Sequence, residues 1–584
     1  MLDYYDPMTS PKRRKIPTLL LALIFSVPAA WAQTEVPSNS ELNSSLMYQL
    51  LLAEISSYNE DAASAYQLML DAAQKDRSEQ LFQRAVEIAL HARSGESALQ
   101  AAQTWFRLFT ASENANRYLL QILIGLNRLS ETAEPLKRYL ATLQPQDRAA
   151  AISQVPRYFV RATDKPLATR AVEQALAPEL GRPDTGAAAY AALGTMRLLA
   201  ADSAGALDAA QKGAALNRKS EEPVQLALVL MSPGLPAAEA LVVAHLQTGA
   251  RPQMRMAYVR KLLETQRYSE ANAQVRLLNT TNPDFDEAWL VRGSLALQDK
   301  NVPDAQTALS RFVQLRQASH QAGADAEGDR GLAQAYFLLA DIAEQNQLPA
   351  EAERYLALIE SPQDAIRVRA RRATMLARQG KLAEARALIR TAPETAEEDA
   401  RAKINAEAQL LRDNRQFELV YTFLQEAVKN SPGDVDLRYD FAMAAEKTDK
   451  IDEMERQLRQ VIAEQPDYHH AYNALGYSLA DRGIRLEEAR ALILQAVERA
   501  PQDPFIQDSL GWLEFRMGKT AEAARILRAA WQARPDAEIA AHLGEVLWTQ
   551  GLQEEAGKVW REGLMLKADN ETLRETIRRL GFKP

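Results

Sequence analysis

The chain has 584 residues, 47% of them hydrophobic and 25% charged, with a formal net charge of −8. That length calls for several domains or one extended repeat array, and the apolar share excludes global disorder. Cysteine is absent, which excludes a disulfide scaffold, a thiol nucleophile, a zinc–thiolate site and a lipid-modified N-terminal Cys. The acidic balance argues against a nucleic-acid partner, which needs a basic stripe.

Lys12, Arg13, Arg14 and Lys15 precede an uncharged run over 16–34 centred on Leu19, Leu20, Leu21, Leu23, Ile24 and Phe25. Pro28 breaks that run, and Ala30-Trp31-Ala32 is a small-x-small site. A basic region, a short apolar core and such a site describe a secretory signal peptide, here residues 1–32, followed by a linker over 33–40. The expected localisation is periplasmic. The alternative is an inner-membrane anchor formed by 16–34, although its apolar centre is short for a span of ~20 residues.

Residues 41–250 read as degenerate helical repeats. Tyr48, Leu51, Leu52 and Leu68 predict a first unit, and Tyr190, Leu193, Gly194 and Ala206 a later one. Loops are expected at 181–186 and 232–236. Repeats become clear from 251 to 316, where Ala271 and Pro283 are followed by Trp289, Gly293, Ala305 and Phe312. Residues 317–331, with Gly323 and Gly328, are expected to form a mobile loop insertion. Repeats resume over 332–568, giving eight units between 251 and 568 and ten to twelve in all. A capping helix closes the chain within 569–584, with Arg574, Arg578 and Arg579 on its polar outer face.

The period is most visible near the end. Gly476, Gly511 and Gly544 each follow a Leu, and Gly483, Gly518 and Gly551 each come seven residues later. Pro432, Pro466, Pro501 and Pro535 recur every 34 or 35 residues. Ala489, Ala523 and Ala556 hold one small position; Ala496, Ala530 and Gly563 hold another. The physical meaning is a helix–turn–helix unit. The first glycine lets two helices approach, the second ends the first helix, and Pro stops the second. Asp467, Asp503 and Asp536 then stand where they can cap the next helix. The pattern resembles the tetratricopeptide repeat, which implies an all-α fold, a right-handed α-solenoid of helix–turn–helix repeats.

No nucleophile elbow, zincin motif, Walker loop or dinucleotide fingerprint is present. Asp325-Ala-Glu327-Gly-Asp329 begins like a calcium loop, but Arg330 fills the glycine position and Tyr336 the terminal ligand position. His469 and His470 are adjacent and are expected on different helix faces, without a third metal ligand. No catalytic residue, metal, cofactor or small-molecule substrate is expected. Arg367, Arg369, Arg371 and Arg372, with Arg378 and Lys381, read either as a solvated helix surface or as a docking patch for an acidic segment.

Function is expected in the concave groove lined by first helices. The Leu-Gly register places His470, Asn473 and Tyr477 there, then Phe505, Asp508, Trp512 and Phe515, then Glu538, Ala541, Glu545 and Trp548. Aromatics at helical spacing serve either as core or as site. Exposed beside Asn, Asp and Glu, they have the composition of a peptide-binding hot spot.

Asn473-Ala-Leu-Gly-Tyr-Ser-Leu-Ala-Asp-Arg-Gly483, Asp508-Ser-Leu-Gly-Trp512 and Ala540-Ala-His-Leu-Gly-Glu-Val-Leu-Trp548 are similar to a bacterial envelope tetratricopeptide family. That family includes the lipoprotein adaptor of a periplasmic carboxyl-terminal processing protease. The resemblance covers roughly the last 120 residues. It implies a scaffold that presents protease and substrate, often a peptidoglycan hydrolase, to each other; the chain departs from it in lacking the lipid-anchor cysteine. The alternative is a structural part of an outer-membrane export or polysaccharide-secretion assembly. Either way the partners are proteins, and any membrane attachment runs through the N-terminal segment or a partner.

Overall fold

The computed structural model describes residues 44–320 and 326–583. The expected signal peptide and linker lie outside the described residues. So do Gly323 and Asp325. The fold is an all-α helical repeat: thirty-one α-helices in succession, with no strand among the described residues. They provide for fifteen two-helix units and a closing helix, more than the ten to twelve expected. No described helix is long and apolar enough to cross a membrane. The chain divides into two compact units, one up to Lys261 and one from Leu262.

The first unit packs around Phe82, Trp105 and Leu123, and further along around Leu136, Ile152 and Phe159, all buried. Its opening helix, Ser44–Tyr58, packs on Ala62–Asp76 through Leu46 and Ala53. The expected first unit is present as this helix pair, but not all of its marker residues face the core. Tyr48 is 66% exposed, and Leu51 and Leu52 also face outward, because the buried stripe is the opposite one. Helix Gly186–Leu199 begins where the loop at 181–186 ends, and Pro236–Leu246 where the loop at 232–236 ends.

In the second unit, residues 317–320 and 326–331 of the expected insertion are helical, and 321–325 lie outside the described residues. Val302–His320 runs for 19 residues and Ala326–Gln345 for 20. Gly331 lies inside the latter, where an added Cβ would meet the Phe312 ring at 3.0 Å. It is a packing glycine, not a loop glycine.

The repeat glycines act as their spacing implies. A Cβ on Gly476 would stand 2.7 Å from Ile493 Cγ1, on Gly511 2.6 Å from Leu527 Cγ, and on Gly544 2.1 Å from Trp560 Nε1. Ala489, Ala523 and Ala556 are fully buried at the crossings. Gly483, Gly518 and Gly551 take φ of +65°, +83° and +82°, the left-handed turn that ends each first helix. Asp503 caps its helix by accepting from the Phe505 and Ile506 amides, and Asp536 from the Glu538 amide. Asp467 does not cap. Tyr468 holds that position and makes no side-chain cap bond.

First helices His469–Asp481, Pro504–Arg516 and Ala537–Thr549 touch one another in sequence, so they line the inner face. The closing helix Glu571–Arg579 buries Leu573 and Ile577 in the last core cluster. It also reaches an earlier repeat: Lys447 Nζ donates to Glu571 Oε2 at 3.0 Å, 124 residues apart.

Candidate functional site: the inner face of the last repeats

Asn473 and Tyr477 stand one turn apart on His469–Asp481, and Asp508 and Trp512 hold the same two positions on Pro504–Arg516. The helices between them are close enough for bonds across two repeats. The Tyr477 hydroxyl lies 3.2 Å from His542 Nε2, and His542 Nδ1 lies 2.8 Å from Asp508 Oδ2. The Trp512 ring stacks on His542 with centroids 4.4 Å apart and planes 20° apart. Its indole N–H donates to Asp481 Oδ1 at 3.1 Å.

Electrostatics follow from this geometry. Burial acts to lower the His542 pKa, but the charge and hydrogen bond of Asp508, with Glu538 and Asp481, outweigh it and hold the ring above the ordinary histidine range. Burial pushes the Tyr477 hydroxyl far up, assisted by Asp481, Glu538, Asp508 and Glu446. A hydroxyl so hard to ionise is no activated nucleophile. The Tyr–His–Asp chain joins three successive first helices. Burial raises the carboxyl of Glu446 as well, whereas Glu538 is exposed.

The groove residues divide. Phe505 is exposed, with the Arg534 guanidinium 5.0 Å above its ring. His470, Asn473, Tyr477, Phe515 and Trp548 are half-buried. Asp508, Trp512 and Glu545 are buried, each 5–7% exposed, and Ala541 is fully buried, which corrects the expectation that they face the groove openly. The cause is contact between neighbouring first helices, which turns those positions into a seam. Glu545 accepts from Arg579 of the closing helix. Trp548 packs on Trp560 and Phe582, with centroids at 5.5 and 6.1 Å. The His469 and His470 rings are 4.0 Å apart, together at the helix start rather than on separate faces. Burial, then the neighbouring His469, lower the His470 pKa. No group of three metal-ligating side chains occurs among the described residues.

Sequence reading missed His542, Glu446 and Asp481. The partners of His542 and Asp481 lie 31 to 65 residues away, and no local spacing signals such a bond. The arginine cluster is spent internally: Arg371 on Asp341 at 2.9 Å, Arg372 on Glu353 at 2.6 Å, Arg378 on Glu344 at 2.7 Å, and Arg367 over the Phe337 ring. Arg367, Arg378 and Lys381 remain exposed.

Residues 439–504 and 509–569 match the tetratricopeptide repeat family. These segments are tetratricopeptide repeats. Over 246 residues the chain is 38% identical to a TPR repeat-containing protein of Pseudomonas aeruginosa. The match covers 42% of this chain and 42% of that protein, so the chain spans less than half of the relative. Among solved structures it is similar to a thermophilic TPR protein of Thermus thermophilus, with 20% identity, 30% of this chain, 94% of that one and a TM-score of 0.28. It is also similar to yeast Tom70, with 13% identity, 75% of this chain, 96% of that one and a TM-score of 0.37. The tetratricopeptide inner face thus carries a built network of aromatic, histidine and carboxylate groups.

Proposed function

We propose that this chain is an exported, non-enzymatic tetratricopeptide scaffold that holds envelope proteins on the inner face of its last repeats. The finer reading is an adaptor that docks a carboxyl-terminal processing protease and its substrates. The carrying observation is the inner face around Tyr477, where polar groups and the exposed Phe505 ring line a surface built by three successive first helices. Repeats of this kind commonly offer such an extended surface to other proteins. The basic cluster and apolar run before residue 33 support export to the periplasm.

The test is a pull-down from envelope extract with the chain from residue 33 onward and its Phe505→Ala variant, read by mass spectrometry. A processing protease retained by the parent and depleted by the variant is the expected result. Retention of an outer-membrane pore without any protease would favour the secretion-assembly reading. An extract from which nothing is retained would overturn the scaffold reading.

A further inference from the structure

The first and last helices of the described chain are finished differently. The closing helix Glu571–Arg579 turns Arg574, Glu575 and Arg578 outward, the polar outer face that a terminal repeat needs. The opening helix Ser44–Tyr58 turns out the opposite. Met47, Tyr48, Leu51, Leu52 and Ile55 are all exposed along it, and Tyr58 at its end is 90% exposed. Its one charged residue is Glu54, and Arg84 of helix Glu79–His91 already holds that carboxylate with two bonds, 2.8 and 2.7 Å long. Gln49 is turned toward the next helix, where its amide donates to the Leu68 carbonyl and to Asp71. Leu46 and Ala53 are buried on the inner side. A helix that is apolar on its outer side as well as its inner side is built to be buried on both.

The sequence and the spacing of these residues select what covers it. Residues 33–43, between the small-x-small site and Ser44, offer only Val36, Pro37 and Leu42 as apolar side chains. Three such residues cannot cover a face of four helical turns. The face also presents no unpaired charge that would select a charged partner. It does match itself. Tyr48, Leu51, Leu52 and Ile55 recur three and four residues apart on one side of the helix. Two copies laid antiparallel about an axis between Leu51 and Leu52 therefore set Tyr48 of one against Ile55 of the other, the self-complementary contact that a two-fold axis requires. The antiparallel sense also keeps the two Glu54 residues apart. Six side chains of this size, two of them tyrosines, expose on the order of 700 Å². A standard interface takes about 800 Å² per partner, so the pairing belongs at the weaker, micromolar end.

We propose that the outer face of Ser44–Tyr58 is covered by the same face of a second copy of this chain, in an antiparallel helix pair about a two-fold axis near Leu51 and Leu52. The assignment goes beyond the scaffold reading and rests on it in one respect, the removal of residues 1–32. A chain that kept the uncharged run over 16–34 would carry an apolar segment of its own ten residues from Ser44.

The test is light scattering of the chain from residue 33 onward between about 1 and 100 µM, beside Leu51→Glu and Ile55→Glu. Both positions are exposed, so neither change enters the core, and unaltered helix content by circular dichroism establishes that the variants fold. The parent is expected to pass from monomer to dimer across that range. Each variant buries a charge in the pairing and should dimerise at least ~tenfold more weakly. The chain has no cysteine, so one can be placed at will. A short bis-maleimide should join Leu52→Cys chains in pairs and leave Glu575→Cys, on the exposed side of the closing helix, unjoined. A parent that stays monomeric, glutamate variants that dimerise like the parent, or Glu575→Cys chains joined as readily as Leu52→Cys chains would each overturn the assignment. An exported protein whose intact mass still includes residues 1–32 would overturn it together with the cleavage. The envelope pull-down reads the last repeats through Phe505, so an empty pull-down with an intact dimer is a failure of the scaffold reading alone.

Discussion

Trp512 and His542 stack face to face across a repeat boundary, 4.4 Å between centroids, while Asp508 grips the same imidazole edge-on at 2.8 Å. A ring held on its face by an indole and on its edge by a carboxylate is a good home for an imidazolium. Three successive first helices are thereby joined through one side chain.

That arrangement predicts a pH dependence. The folded-state pKa of His542 is raised, so its stabilising contribution is complete below the ordinary value of 6.5 and is lost as pH rises through the folded value. Amide protection in His469–Asp481, Pro504–Arg516 and Ala537–Thr549, followed by hydrogen exchange, should fall over that rise. Asp508→Asn should weaken these helices at pH 6 by on the order of 3 kcal/mol and flatten the dependence. Equal protection at pH 6 and pH 9 in the parent chain would refute this.

At acid pH a different group dominates. Glu455 accepts from Arg485 and Arg459, whose hydrogen bonds outweigh burial and hold its carboxyl at about 2. Its contribution is present above the ordinary carboxylate range and disappears as pH falls through about 2. Both arginines are more than two-fifths exposed, so solvent screening limits the effect of Glu455→Gln at neutral pH to about 1 kcal/mol. A melt at pH 7 and another near pH 2 should differ between parent and variant only in the first.

The turn ending each first helix predicts an unusual class of stabilising change. Gln347, Arg415 and Asp449 hold φ of +60°, +55° and +59°, the conformation that Gly380, Gly483 and Gly518 adopt at the same point of their repeats. A side chain there costs about 1 kcal/mol relative to glycine. Gln347→Gly and Asp449→Gly should each raise stability by roughly that amount, and Gly518→Val should lower it by about 1–2 kcal/mol. Urea titrations of the three variants check the signs.

The same turns show what the sequence made legible. Where glycine fills the left-handed position, as at Gly483, Gly518 and Gly551, the period is visible by eye. Where Gln347, Arg415 or Asp449 fills it, the backbone is the same but the residue type carries no mark. The undercount falls mainly in residues 41–250, where Glu60, Arg93, Asn127 and Ala201 take the left-handed position without a glycine. The groove was legible as a set of helical positions. Its exposure was not: whether Trp512 faces water depends on how closely the next first helix approaches, a property of the stacked array and not of any one repeat.

Close approach at Gly544 gives a further prediction. A methyl group there would stand 2.1 Å from the buried Trp560 indole nitrogen, so Gly544→Ala must displace that ring. The expected loss is about 1–3 kcal/mol. Adding Trp560→Phe should recover part of it, a non-additivity readable in a double-mutant cycle. A fully additive pair would show that the helices part instead.

One contact has a mechanical consequence. A stack whose members touch only their neighbours stretches like a spring, each joint yielding a little under load. Between Lys447 and Glu571 the last repeats instead carry one contact that skips the members between. Both partners are more than half exposed, and such a pair holds with less than about 1 kcal/mol. Thermal motion alone is enough to unlatch it. The contact therefore ties the closing helix to an earlier repeat only loosely, and added salt should release it.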